Sequence, residues 1–120
     1  MIGYDESVLV FGGQGMAGSA IIRTLKEKGF TNILAPPRQE VDLLDRQSVF
    51  NYLNETDAGL LIMAAAKVGG IMANKNNQAG FFSQNMQMEL NVIDSAHQTG
   101  IQHLIFLVIQ KRAEFQRRVF

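Results

Sequence analysis

The segment Ser7-Val-Leu-Val-Phe11-Gly12-Gly-Gln-Gly15-Met-Ala-Gly18 decides the fold, because an apolar run leads directly into closely spaced glycines. Its first five residues have the length and the glycine boundary of a strand buried in a parallel sheet. From Met16 to Lys28 the pattern is helical, and Gly29 ends the helix. The inward face of this helix is predicted to hold Ala17, Ala20, Ile21 and Leu25.

The glycines satisfy both Gly-x-x-Gly-x-x-Gly from Gly12 and Gly-x-Gly-x-x-Gly from Gly13. A tight turn needs a residue without a Cβ, and a pyrophosphate must approach the backbone N–H groups at the helix N-terminus. Gly18 allows the helix to pack close to the strand. We therefore expect Gly12, Gly15 and Gly18 to build a dinucleotide site, although a glycine-rich turn that binds nothing has the same composition. No Gly-Lys-Ser or Gly-Lys-Thr follows, which excludes a P-loop.

Strands and helices alternate along the rest of the chain. Further strands are predicted at Asn32–Ala35, Glu40–Leu44, Gly59–Ala66 and His103–Leu107. Asp45 can cap a helix that runs to about Glu55, with Val49, Tyr52 and Leu53 facing inward. A long helix from about Gly80 to Gln98, ended by Gly100, would place Phe82, Met86, Leu90, Ile93 and Ala96 roughly along one side. The alternation predicts an α/β fold with a doubly wound parallel sheet, incomplete, of about five strands.

Composition excludes several classes of protein. The chain has 120 residues, 47% of them hydrophobic, with zero net charge and no cysteine. This suits one domain and argues against electrostatic binding to nucleic acid or membrane, disulfides and thiolate metal sites. The longest apolar run, Ala58–Ala66, is too short to cross a bilayer, so we expect a cytoplasmic protein. His97 and His103 have no partners at metal-ligand spacing, and no metal site is predicted.

The residues after the second strand bear on the choice of cofactor. Arg38, in Ala35-Pro-Pro-Arg38, stands where a basic residue accepts the 2′-phosphate of NADP, whereas NAD sites usually have an acidic residue there. We favour NADP over NAD, although Arg38 could be a solvated loop residue and Glu40 lies nearby. Asp42 is placed to contact the adenine amino group or is a polar residue at a strand end. Ala64-Ala-Ala-Lys-Val-Gly-Gly70 offers small residues to a cofactor ribose, or simply close helix packing with a solvated Lys67.

These motifs resemble the extended short-chain dehydrogenase/reductases, and among them the GDP-L-fucose synthase family. The similarity covers residues 7–107, through Gly12-x-x-Gly15-Met-x-Gly18, Ala64–Ile71, Gln84-Asn85-Met86 and Leu104–Leu107. It implies a Rossmann NADP(H)-binding half-domain, a GDP-sugar substrate (GDP-4-keto-6-deoxy-mannose, undergoing epimerisation and reduction) and a homodimer. An arginine common in the family is replaced by Gln14. The cofactor contacts that the resemblance adds are Met16, Leu43, Ala64, Ala65, Ala66, Lys67 and Asn85.

The resemblance ends after Leu107. The serine motif and the Tyr-x-x-x-Lys motif that carry catalysis in the family are absent from these 120 residues, so no catalytic residue is predicted. Residues 108–120 form a divergent basic tail with four basic residues and one acidic, a net charge of +3 against −3 elsewhere. A reading-frame change after Leu107 would explain it; an amphipathic helix covering the sheet edge is the other interpretation. We expect a truncated cofactor-binding portion inactive alone, with a non-catalytic dinucleotide-binding or sensing module, or complementation by another chain, as alternatives.

Overall fold

The computed structural model describes residues 3–65 and 78–107. Ala66, Lys67 and the tail 108–120, all named above, lie outside the described residues. The elements in chain order are β1 (Val8–Phe11), α1 (Met16–Glu27), β2 (Ile33–Leu34), α2 (Arg46–Thr56), β3 (Leu60–Met63), α3 (Gln78–Thr99) and β4 (Leu104–Phe106).

The described strands form one parallel sheet in the order β2-β1-β3-β4. Strand β1 pairs with β2 over two residues and with β3 over four, from Val8 opposite Leu60 to Phe11 opposite Met63. Strand β2 therefore lies on one side of β1, and the strands that follow, β3 and β4, lie on the other side. This confirms the predicted incomplete α/β fold with a parallel sheet, and it places a topological switch point beside β1.

Helices cover both faces of the sheet. Alternate residues of β1 point to opposite sides, so Val8 and Val10 belong to one buried cluster and Leu9 and Phe11 to another. Ile21, Ile22 and Leu25 of α1 cover the first cluster. The second is built with Val49 and Leu53 of α2 and with Met88, Val92 and Ala96 of α3. Every residue of β1 and β3 is buried, as expected for strands covered on both faces.

The predicted helix boundaries are confirmed at three ends. The Asp45 side chain accepts hydrogen bonds from the backbone N–H groups of Gln47 and Ser48, which caps α2. Gly29 and Gly100 follow α1 and α3 with φ of +105° and +83°, the left-handed conformation in which helices commonly end.

The predicted strand at Glu40–Leu44 is wrong. The N–H groups of Glu40 and Val41 both donate to the Pro37 carbonyl, which closes a turn instead of a sheet ladder. The N–H of Leu44 donates to the Asp42 side chain at 3.0 Å, a second local bond. Since these backbone groups are satisfied locally, the apolar residues of the segment reach the core from a turn. Four strands are described instead of about five.

The apolar side of α3 that the sequence suggested is not the side that packs inward: of its four described residues, only Ala96 is buried. Met86, Leu90 and Ile93 are 41–48% exposed, and the side chain of Phe82 lies outside the described part. The residues that pack inward are Met88, Asn91, Val92, Ser95 and Ala96. This helix has apolar residues on two sides. Its inner side also carries two polar residues, Asn91 and Ser95, so the pattern of hydrophobic residues does not identify it as the buried side.

Ser95 gives a first test of this packing. Its side chain is fully buried in α3, and its hydroxyl has no hydrogen-bond partner among residues 3–65 and 78–107. A buried hydroxyl without a partner destabilises the folded state, so Ser95→Ala is expected to raise the free energy of unfolding by about 1 kcal/mol, measured by urea denaturation.

The control is Ser48→Ala, since the Ser48 hydroxyl accepts a hydrogen bond from the Asp42 N–H. This change is expected to lower the free energy of unfolding by about 1 kcal/mol. Equal losses in the two variants would contradict the assignment of Ser95 as unsatisfied.

Within residues 3–65 and 78–107, no helix is long and apolar enough to cross a membrane. The same ranges contain no group of three or more His, Cys, Asp or Glu side chains that could hold a metal ion.

Candidate functional site

A cleft of about 500 Å³ opens where β1 and β3 end, at the switch point of the sheet. The glycine turn forms one side, the segment 36–44 forms the other, and the residues after β3 complete the wall. The residues lining it are Phe11, Gly12, Gln14, Gly15, Pro36, Pro37, Arg38, Gln39, Val41, Asp42, Leu43, Leu44, Ala64, Ala65 and Met88. The site is thus apolar at its floor, with backbone amides and a few polar side chains at its rim.

Gly12 is packed against the end of the neighbouring strand. Its φ is +86°, and a Cβ built on it would lie 2.5 Å from the Ala65 nitrogen and 2.8 Å from the Ala64 carbonyl carbon. The Ala64 N–H donates to the Phe11 carbonyl at 2.9 Å, which holds the two segments together. The first glycine is therefore required both by backbone conformation and by the approach of β3.

Gly18 lies in α1, packed against the glycine turn. It is the buried residue of α1, and a Cβ there would collide with the carbonyl oxygen of Gly12. The absence of a side chain lets the first turn of α1 lie directly under the glycine turn. Gly18 does not line the cleft, so its predicted role is one of support.

The first turn of α1 presents backbone amides without a side-chain cap. Gly15 is the N-cap, with φ −78° and ψ 171°, and no side chain in the described part of the chain caps this end by a hydrogen bond. The first N–H groups of a helix have no partner within the helix, and the helix dipole favours negative charge there. The geometry suits a phosphate group.

Arg38 stands at the opposite rim. The side-chain amide of Gln14 donates a hydrogen bond to the Ala35 carbonyl at 3.2 Å. This bond ties the glycine turn to the residues between β2 and Arg38. Pro36 is buried, whereas Arg38 is exposed and forms no ion pair with any residue that the structure describes. A guanidinium held at the mouth of the cleft is available to an anionic ligand.

Asp42 and Leu43 belong to a tight turn on the same side as Arg38. One Asp42 carboxylate oxygen accepts the Leu44 N–H, and the Asp42 N–H donates to the Ser48 hydroxyl at 3.1 Å. The Leu43 carbonyl accepts the side-chain amide of Asn91 at 2.9 Å. The turn is therefore fixed to both α2 and α3.

Tyr52 lies behind this wall, with its ring 6.2 Å from that of Phe11. Burial raises the pKa of the Tyr52 phenol, and the nearby Glu40 carboxylate raises it further. The phenol is therefore neutral at physiological pH and adds no charge behind the cleft.

The structure brings most of the predicted cofactor contacts together. Gly12, Gly15, Arg38, Asp42, Leu43, Ala64 and Ala65 line the one cleft. Met16 is 90% exposed outside it, and Asn85 is half-buried on α3 and does not line it. Ala66 and Lys67 are outside the described residues.

Several cleft residues were not predicted. Gln14 lies within the glycine motif, so its position between Gly12 and Gly15 was a usable signal. Met88 was recognisable only from the helical spacing Met88, Val92, Ala96, which the more apolar opposite face obscured. Val41 and Leu44 were assigned to a strand and reach the site from a turn instead.

A parallel sheet with a glycine turn and an uncapped helix at its switch point defines a class of dinucleotide-binding domain, the Rossmann fold. Residues 8–108 match the NAD dependent epimerase/dehydratase family, and the chain belongs to that family.

Among its curated relatives, the chain is 42% identical to GDP-L-fucose synthase 1 of Arabidopsis thaliana over 105 residues, 86% of this chain and 32% of the relative. It is 40% identical to GDP-L-fucose synthase of Escherichia coli (strain K12) over 102 residues, 85% of this chain and 32% of the relative. The predicted resemblance is confirmed. The chain spans about a third of the length of these relatives.

A comparison with solved structures supports the same family. The GDP-mannoheptose C4 reductase from Campylobacter jejuni with NADP bound superposes with a TM-score of 0.82 at 27% identity, covering 88% of this chain and 33% of the reductase. The cofactor that the sequence favours is the one bound by this structural neighbour.

Proposed function

We propose that this chain is the NADP(H)-binding portion of a GDP-L-fucose synthase-like epimerase/reductase. The observation that carries the proposal is the cleft at the switch point, which unites the glycine turn, the start of α1 and Arg38. Relatives that act on GDP-sugars, one of them with NADP bound, support the same assignment.

The residues present fit a dinucleotide. The absence of a Cβ at Gly15 leaves the backbone open at the start of α1, and among the described residues the amides after Gly15 have no side-chain cap. A pyrophosphate placed there would accept those N–H groups and interact favourably with the helix dipole. We assign this role to the backbone of residues 12–18.

The two ends of the cofactor follow from this placement. Arg38 would pair with the 2′-phosphate of NADP, and the turn at Asp42 and Leu43 would face the adenine. Ala64 and Ala65, beside Gly12, would leave room for the ribose on the nicotinamide side. The predicted contacts at Met16, Ala66, Lys67 and Asn85 remain part of the proposal.

When bound, NADPH supplies a hydride to a carbonyl carbon. The residues of this chain bind and orient the cofactor, and we assign them no proton transfer. The proposed substrate of the whole enzyme is a GDP-linked 4-keto sugar, by analogy with the relatives.

Isothermal titration of the purified chain with NADPH and NADH tests the proposal. We expect micromolar binding that favours NADPH. Arg38→Ala is expected to weaken NADPH binding about tenfold while leaving NADH binding unchanged, because only NADPH carries the 2′-phosphate.

Arg46→Ala is the matched control. Arg46 is an exposed arginine on α2 that pairs with Asp94 at 3.5 Å and does not line the cleft. Arg46→Ala removes one positive charge, as Arg38→Ala does. It therefore controls for long-range attraction between the protein and NADPH, the more anionic cofactor. A folded chain that binds neither cofactor would disprove the proposed function. Equal weakening of both cofactors by Arg38→Ala would remove Arg38 from the 2′-phosphate site.

A further inference from the structure

Asn91 is a buried amide in the inner face of α3. It is 2% exposed and is surrounded along the helix by the apolar residues Met88, Val92 and Ala96. A buried amide destabilises the fold unless its polar atoms find partners. Here both atoms do: the Asn91 nitrogen donates to the Leu43 carbonyl at 2.9 Å, and its oxygen accepts the Gln87 side-chain amide at 2.9 Å.

The hydrogen bond from Asn91 to Leu43 spans a much larger sequence separation than the other hydrogen bonds of the 42–45 turn. Within the described residues, those other bonds join partners at most six positions apart, such as Asp42 with Ser48 and Leu44 with Asp42. Asn91 is 48 residues from Leu43 and lies on α3, whereas Leu43 lies in the turn before α2. Their bond is therefore the hydrogen bond that ties the turn to α3, in addition to the bond between Asp42 and Ser48 on α2 and the apolar packing of Leu43 and Leu44.

This turn is one wall of the cleft, and Asn91 itself does not line the cleft. The carbonyl of Leu43 is engaged by Asn91, while Asp42 is exposed at the rim. A shift of this wall would change the distance between Asp42 and a base lying against it. Hydrogen-bond recognition of a base tolerates only small errors of this kind.

We propose that Asn91 is a positioning residue for base recognition: by holding the Leu43 carbonyl, it sets the place of Asp42 against the adenine amino group. This inference rests on the proposed function. It predicts that Asn91 controls discrimination between bases without touching the nucleotide.

The test compares NADPH with nicotinamide hypoxanthine dinucleotide phosphate, reduced, which carries an oxygen in place of the adenine amino group. We expect the wild-type chain to bind NADPH about tenfold more tightly, the value of one well-placed hydrogen bond to a charged group. Asn91→Asp keeps the shape of the side chain but cannot donate to Leu43 when ionised. It should weaken NADPH binding about tenfold and bring the ratio of the two affinities close to one.

Gln87→Ala is the control, because it removes the partner of the Asn91 oxygen and leaves the bond to Leu43 in place. It should keep the wild-type ratio. A ratio compares two ligands on the same folded protein, so a general loss of stability does not move it. Asn91→Ser removes the amide donor from Leu43 without adding a charge and is measured beside Asn91→Asp. If Asn91→Asp fails to fold, Asn91→Ser alone decides the outcome.

The outcomes separate the two proposals. Failure of the folded wild-type chain to bind NADPH refutes the proposed function. NADPH binding with no preference over the hypoxanthine analogue, or with a preference that Asn91→Asp and Asn91→Ser both retain, overturns the role of Asn91 and leaves the proposed function intact.

Discussion

Gly15→Asp should strongly weaken dinucleotide binding while leaving the domain folded and slightly more stable. Gly15 has φ −78° and ψ 171°, which any L-residue adopts, and a Cβ there meets only the Gly12 carbonyl oxygen, at 3.4 Å. Aspartate is a preferred N-cap, and its carboxylate can accept the N–H groups of Ala17 or Gly18. The gain in the free energy of unfolding is a few tenths of a kcal/mol.

The same carboxylate would occupy the place of the pyrophosphate. It would use the amides that the phosphate needs and repel its negative charge at close range. We expect binding of NADPH to weaken at least about 100-fold, which corresponds to about 3 kcal/mol. Titration gives the affinity, and the melting temperature reports the stability of the same sample.

Gly15→Asn is the matched control. Asparagine caps helices as well as aspartate does but carries no charge, so it blocks the amides without repelling the phosphate. It should lose less affinity than Gly15→Asp. An aspartate variant that binds NADPH within threefold of wild type, on the order of 0.7 kcal/mol, would show that the pyrophosphate does not lie at this helix end.

Gly12→Ala is expected to cost the domain much of its stability. The added methyl group would lie 2.5–2.8 Å from backbone atoms of Ala64 and Ala65, and the residue would be held at a φ of +86°. Backbone strain contributes about 1–2 kcal/mol and the steric contact about 1–3 kcal/mol. A total of about 2–5 kcal/mol is a large part of the 5–15 kcal/mol that stabilises a typical domain.

Gly100→Ala separates the two terms. Gly100 has a similar φ of +83°, but apart from its chain neighbours no described residue lies within 4 Å of a Cβ placed on it. It should lose only the strain of about 1–2 kcal/mol. Urea denaturation of both variants measures the difference. Equal losses would mean that the backbone at Ala64 and Ala65, after β3, moves away from the added methyl group without a cost in free energy.

The parts of the fold that could be predicted are those in which local pattern and tertiary position agree. A four-residue buried strand, a glycine turn and the helix from Met16 follow one another with no competing pattern. Arg38 could be placed at the cleft because parallel strands bring their carboxyl ends to one edge, whereas Asp42 reaches the cleft from a turn that was not predicted. Seven of the predicted contacts line the same cleft, and this finding does not depend on which ligand binds there.

The failures come from non-local choices. Glu40–Leu44 has strand-like residues, but the Pro37 carbonyl accepts their first two N–H groups before any neighbouring strand can. The inner face of α3 contains Asn91, whose acceptor lies 48 residues away, so no helical pattern reveals why a polar residue is buried there. In both places a hydrogen bond that only the folded chain makes decides between two patterns of similar hydrophobicity.

Strand β2 has only two residues and lies at the edge of the sheet, whereas β1 is paired on both sides. Local opening is easiest where few backbone bonds close a segment, so fluctuations reach the end of β2 before they reach the glycine turn. On the proposed assignment, Arg38 follows the strand that opens first and the pyrophosphate site follows the strand that opens last. Warming the domain would then erode its ability to tell NADPH from NADH while it still holds either one.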